Sequence, residues 1–220
     1  MILSMRPSVL HIYLDSADLV EIEQWAESVS GITTNPTLVK QAGVFDYKAH
    51  AKRILSFGLP TSIEVLSLDA KGCLREALTI AGMGGIPKIP AARHLVPVAR
   101  ALAEQQIVYN LTAICSPAQL AEFATVIQPD TIVSIFAGRI ADTGRDPYPF
   151  VEQTAATYKT LWASTREVLN IGQARLAGCS IVTVSPALLA KFEKWDGVDL
   201  VKAGELTVSQ FTADAAGYVL

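Results

Sequence analysis

The chain has 220 residues, with 18 Lys and Arg against 21 Asp and Glu, a formal net charge of -3, and half of its residues hydrophobic. That composition can bury a core, and it excludes intrinsic disorder, a collagen-like repeat and a disulfide scaffold. No basic block offers a footprint for nucleic acid, and no apolar run reaches the roughly 18 residues that a membrane helix requires, so the expected partner is a small molecule.

Taken from the start, Met1 to Pro7 is interrupted by Arg6 and Pro7 too soon to form the apolar region of an export signal, and the expected location is cytoplasmic. Eight short apolar, β-branched runs follow: Leu10–Leu14, Gly31–Thr34, Thr61–Val65, Ile86–Ile89, Ile107–Thr112, Thr131–Ile135, Thr160–Ala163 and Ser180–Val184. Amphipathic stretches of helical period separate them, for example Leu95, Val98, Ala99 and Leu102, or Leu120, Phe123 and Ile127 after a Ser116-Pro117 start. Strand then helix, eight times, predicts an α/β fold of the (β/α)8 TIM-barrel type. A doubly wound sheet would want a glycine-rich phosphate turn after an early strand, and Gly82-Met-Gly-Gly85 comes late and lacks that spacing. No linker divides the chain, so residues 1–220 are expected to be a single domain, with the barrel over about 10–195 and a helical tail over about 196–220.

Polar residues recur at the ends of the runs: Asp15, Asn35, Glu64, Lys88, Asn110, Ser134, Ser164 and Thr183, on average about 24 residues apart. In a barrel those strand ends converge on one face, so the chemistry is to be read from this set. Lys88 is flanked by Ile86-Pro87 and Ile89-Pro90. An ammonium among apolar neighbours is partly dehydrated, which favours the neutral amine that attacks carbonyls; the plainer reading is a stem that runs along apolar surface to solvent. Asp15 taken alone reads as a helix N-cap before Ala17-Asp18-Leu19. Glu64 lies between Ile63 and Val65, where a buried carboxylate is costly without a partner, and a carboxylate near Lys88 would serve proton transfer.

Alternation places Thr33 with Asn35 on one strand face and Asn110 with Thr112 on another, pairings that suit a polyol. Turn formation is the competing reading for Asn35, which precedes Pro36. Arg139 and Arg166 follow the sixth and seventh runs, where two guanidinium groups would clamp a phosphate. Cys73, Cys115 and Cys179 are three, far apart and without C-x-x-C, and His11, His50 and His94 stand alone, so neither a disulfide nor a structural metal is expected.

The strings Tyr13-Leu-Asp-Ser-Ala17, Gly31-Ile-Thr-Thr-Asn-Pro36, Ser62-Ile-Glu-Val65, Lys88-Ile-Pro90, Asn110-Leu-Thr112, Phe136-Ala-Gly-Arg139 and Ala163-Ser-Thr-Arg166 resemble, in order and spacing, those of the small transaldolases and related fructose-6-phosphate aldolases. The resemblance spans roughly Tyr13 to Val184 and implies class I chemistry of the pentose phosphate pathway without a cofactor. It implies that Lys88 forms an imine with a ketose phosphate, that Asp15 takes the C4-hydroxyl proton, and that Glu64 and Thr112 hold a water. By the same resemblance Thr33, Asn35, Asn110, Ser134 and Ser164 bind the polyol, and Arg139 and Arg166 hold the phosphate.

The aldolase branch resembles Gln at Glu64, Leu at Asn110, Ala at Ser134 and Tyr at Phe136, whereas this chain carries the transaldolase-like residue at all four. Phe136 lacks a hydroxyl that could help hydrolyse the intermediate, which favours transfer over release. Two other readings stand beside transfer: an aldolase that frees dihydroxyacetone, and a barrel that binds sugar phosphates without catalysis. The latter draws on Pro87, which removes a ladder donor in what reads as a central strand, and on the glycine-rich Gly82-Met-Gly-Gly85 that leads to Lys88. In relatives the terminal helix, here expected over Leu206 to Tyr218, packs on a neighbouring subunit, implying a symmetric homo-oligomer such as a decamer.

Overall fold

The computed structural model describes residues 9–218, in which eight parallel strands close into a barrel in chain order. The reading of Met1 to Pro7 as lacking an export signal lies outside these residues. The first half runs β1 (His11–Asp15), α1 (Leu19–Trp25), β2 (Gly31–Thr33), α2 (Pro36–Gln41), α3 (Tyr47–Leu55), β3 (Thr61–Glu64), α4 (Ala70–Gly82) and β4 (Ile86–Pro90). A short 3-10 turn at Arg93–Leu95 leads into α5 (Val96–Glu104), β5 (Asn110–Ile114), α6 (Pro117–Phe123), β6 (Ile132–Ile135) and α7 (Ala137–Ala141). The remainder is α8 (Tyr148–Ala155), β7 (Lys159–Trp162), α9 (Leu169–Leu176), β8 (Ile181–Val184), α10 (Pro186–Trp195) and α11 (Leu200–Asp214).

Strand alternation sorts the core into two clusters. Leu14, Ile32, Ile63, Ile89, Leu111, Val133 and Val182 pack outward with helix residues such as Ile22, Ala77, Leu102 and Phe123. Tyr13, Ile132, Leu161 and Ile181 form a separate apolar cluster within the barrel. The polar side chains share the inward parity and lie in the layer nearer the C-terminal strand ends.

Several local expectations shift. The fifth strand begins at Asn110, so Ile107 and Val108 precede it. The cap of α1 is Asp18, whose carboxylate accepts the Val20 and Glu21 amides, and this leaves Asp15 free to end β1. The terminal helix starts at Leu200 rather than Leu206. Pro87 lies inside β4, paired with Ile63, yet its missing donor breaks no rung. The Ala91 amide bonds to the Thr112 carbonyl, so two rungs back Pro87 would face Val108, before β5 begins. Lys88 keeps its place in the barrel wall despite Pro87.

One glycine ties two loops together. A Cβ on Gly138, at the start of α7, would lie 1.7 Å from the Ser164 carbonyl oxygen. Ser164 itself adopts a left-handed conformation with φ of 62°. Gly138→Ala must push these backbones apart, and we expect a loss of about 1–3 kcal/mol of stability, read as a lowered Tm.

Candidate active site

The C-terminal strand ends open onto a cleft of about 630 Å³. Every strand contributes a side chain to its wall: Asp15, Thr33, Glu64, Lys88, Thr112, Ser134, Leu161 and Thr183 in turn. The following loops add Asn35, Phe136, Arg139, Ser164 and Arg166. Of the twelve site residues expected from the sequence, eleven therefore meet in one cleft.

Asn110 is the exception. It is fully buried and does not reach the cleft wall; its amide donates to Ser62 Oγ at 3.1 Å and its carbonyl accepts from Ser134 Oγ at 2.7 Å. It holds Ser134 in place from below. Asn35 also departs from expectation, because β2 ends at Thr33 and Asn35 becomes the N-cap of α2, accepting the Leu38 amide at 3.1 Å. Its amide nitrogen remains available to the cleft.

Lys88 is buried, and its surroundings are more polar than the flanking sequence implies. Pro87 and Ile89 take the opposite parity, while Nζ lies 3.1 Å from Glu64 Oε2 and donates to the Thr34 carbonyl at 3.2 Å. The Glu64–Lys88 register of β3 and β4 sets that pair side by side. A lysine whose ammonium faces one carboxylate inside a cleft can hand over a proton and attack a carbonyl.

Asp15 sits in a second polar chain. Thr33 Oγ1 donates to Asp15 Oδ1 at 2.7 Å and lies 2.5 Å from Thr183 Oγ1. Thr33 has one hydroxyl proton, given to Asp15, so Thr183 is the donor in the second bond. Burial raises the Asp15 carboxyl above its ordinary range, opposed by the Lys88 charge and the Thr33 hydrogen bond. Thr183, noted in the polar pattern but given no role there, thus belongs to the site; its inward parity was the signal. Thr112 Oγ1 is buried without a partner, aimed where a water or substrate could take it.

At the rim, Asp142 stands between the two arginines. Its carboxylate is 2.7 Å from Arg166 Nη2 and 3.9 Å from Arg139 Nη1, and the Arg166 hydrogen bond holds its carboxyl below the ordinary range. Sequence reasoning missed Asp142, although its place three residues after Arg139, at the C-cap of α7, was a usable sign. Among the described residues no group of three or more His, Cys, Asp or Glu is placed to hold a metal ion. Nor is any helix there long and apolar enough to cross a membrane.

Residues 12–216 match the family model described as transaldolase/fructose-6-phosphate aldolase. The chain belongs to that family. Among relatives of this transaldolase/aldolase family, a protein of Carboxydothermus hydrogenoformans is 33% identical over 80% of this chain and 86% of its own, and one of Petrotoga mobilis is 32% identical over 87% and 90%. Both are described as "Probable transaldolase". A solved 3-hexulose-6-phosphate synthase of Salmonella typhimurium superposes with a TM-score of 0.58 at 12% identity, covering 82% of this chain and 91% of that one. At that identity it shares the barrel with this family and nothing finer. Within the family's barrel the cleft described above is the concave site at the strand ends.

Proposed function

We propose that the protein is a transaldolase, moving a dihydroxyacetone unit from fructose 6-phosphate or sedoheptulose 7-phosphate to an aldose phosphate. The observation that carries this reading is Lys88 Nζ, buried in the barrel cleft at 3.1 Å from Glu64, with Asp15 on the same wall. The neutral amine of Lys88 adds to the C2 carbonyl, water leaves, and an iminium remains. Asp15 takes the C4-hydroxyl proton as the C3–C4 bond breaks, and the bonding pair moves to the iminium to give an enamine. The aldose phosphate departs as an aldehyde. A second aldehyde accepts the enamine carbon, Asp15 returns the proton, and water frees the ketose from Lys88.

Glu64 takes and returns the protons of imine formation, and Thr112 offers its free hydroxyl to the same water. Ser134, Ser164, Thr33 and Asn35 bind the hydroxyls of the chain. Phe136 presents a ring and no hydroxyl beside the intermediate, so the enamine waits for an acceptor rather than being released. This supports the transferase over an aldolase. Such a cytoplasmic enzyme works as a homo-oligomer in this reading, because α11 buries no residue of its own and leaves Leu200, Val201, Val208 and Phe211 exposed for another copy.

Arg139 and Arg166 hold the phosphate by charge-assisted bonds. Replacing either with alanine is expected to raise KM for phosphorylated substrates by about 10- to 100-fold, with a smaller change for an unphosphorylated ketose. Steady-state kinetics with both substrates checks this.

The deciding experiment is borohydride trapping with fructose 6-phosphate, read by intact mass and peptide mapping. A dihydroxyacetone-sized adduct on Lys88 supports the reading, and none in folded protein sinks it. Steady release of dihydroxyacetone without an acceptor would assign the aldolase instead.

A further inference from the structure

Glu64 is the last residue of β3, and the sheet gives its carbonyl no partner. The Thr34 amide bonds to the Ser62 carbonyl at 3.1 Å, so the next rung would bring the amide of residue 36 to Glu64. Residue 36 is a proline and has no N–H to give, and by then the chain has turned into α2. On the other side it is Val65 that bonds to β4, through the Lys88 carbonyl at 3.1 Å. The vacant position at Glu64 is filled from outside the barrel. Tyr47, the first residue of α3, donates its hydroxyl to the Glu64 carbonyl at 2.7 Å. The Asp46 cap, which accepts the Ala49 amide at 2.9 Å, fixes the start of that helix and so the place of the phenol.

We propose that Tyr47 is a positioning residue for Glu64, fixing the strand end that sets the carboxylate beside Lys88. The chain just beyond is held as well, since Glu76 Oε2 accepts the Leu66 and Ser67 amides at 2.7 and 2.8 Å and Glu76 Oε1 accepts the Ser67 hydroxyl. On the side away from β4, the Glu64 carbonyl is therefore anchored by a side-chain hydroxyl where a strand would otherwise hold it. Burial and the charges of Glu64 and Glu76 push the phenol above its ordinary range, so it remains a donor across the working pH. Its ring packs against the outer core and lines an apolar recess shared with Ile63, Val65, Ile80 and Met83, a setting that phenylalanine keeps. Without the hydroxyl the strand end turns more freely and the carboxylate spends less time at Nζ.

The kinetic side of this inference rests on the reading of Glu64 as the proton carrier in imine formation. Tyr47→Phe is expected to slow imine formation, followed by rapid-quench borohydride trapping, by about tenfold, while KM for fructose 6-phosphate stays within about twofold. In a Glu64→Gln background the same change should slow it no further. Equal slowing in both backgrounds would mean general damage and would overturn the proposal.

A second measurement needs no sugar. Competitive acetylation of the folded protein with trace acetic anhydride, which forms no imine and needs no proton carrier, reads how tightly the Lys88 ammonium is held, relative to surface lysines. Faster labelling of Lys88 in Tyr47→Phe supports the positioning role, and unchanged labelling overturns it. If the wild type forms no adduct with fructose 6-phosphate, the transaldolase reading fails while the labelling still decides the role of Tyr47.

Discussion

Lys88→Ala is expected to remove turnover, by on the order of 10⁴-fold or more, together with every borohydride-trappable adduct. The size of the effect follows from the covalent step. No other lysine lines the cleft, so no second amine there can form the imine. The fold should survive. Glu64 loses its partner, and a carboxylate left unpaired in a protein interior is destabilising, but this one is 19% exposed and keeps contact with water. The variant is therefore expected to melt at a lower temperature than the wild type, with an unchanged circular-dichroism spectrum. Lys88→Ala/Glu64→Gln, which removes both charges, should recover part of that loss and none of the activity. Residual turnover near wild type in either variant would end the imine mechanism.

Asp15→Asn is expected to lower kcat by about 10²- to 10⁴-fold and to change what is trapped. An amide cannot accept the C4-hydroxyl proton, so the imine forms and then stalls before the C3–C4 bond breaks. Borohydride should then fix the intact ketose phosphate on Lys88 instead of the dihydroxyacetone unit, a difference that intact mass resolves at once. The pH profile carries the sign of the environment. Burial raises the Asp15 carboxyl above the ordinary 3.8, and in the proposed mechanism the base form is the active one. Activity is accordingly lost as pH falls through a value above 3.8, and this acidic limb should be absent from the residual rate of the Asn variant. A dihydroxyacetone-sized adduct in Asp15→Asn would assign the proton to another group.

The barrel was legible because its strands are short, apolar and evenly spaced, and because polar residues interrupt them at one end. What a one-dimensional pattern could not carry is the register between strands. Glu64 and Lys88 read as a carboxylate and a lysine in separate runs; the β3–β4 pairing makes them neighbours. Depth was equally hidden. Asn110 and Thr112 share a strand face, yet Asn110 lies a layer below and is consumed by Ser62 and Ser134, while Thr112 reaches the cleft. Asp15 shows how a strong local rule can mislead: an acid ahead of a helix reads as its cap, and Asp18 three residues on takes that work. Tyr47 gave no sign at all, since the role proposed for it depends on a proline at the start of a different helix.

The division of the barrel interior into an apolar floor and a polar upper layer separates what keeps the chain folded from what the chain is kept for. Tyr13, Ile132, Leu161 and Ile181 fill the floor as any hydrophobic core would. Above them, a buried ion pair such as Lys88–Glu64 is commonly no more stabilising than well-packed apolar side chains of the same volume. Drift restrained by stability alone would thus fill the mouth with leucine and valine. Engineering for heat resistance will find its easiest gains in that same layer, at the cost of every function it serves, and is better directed to the outer helices.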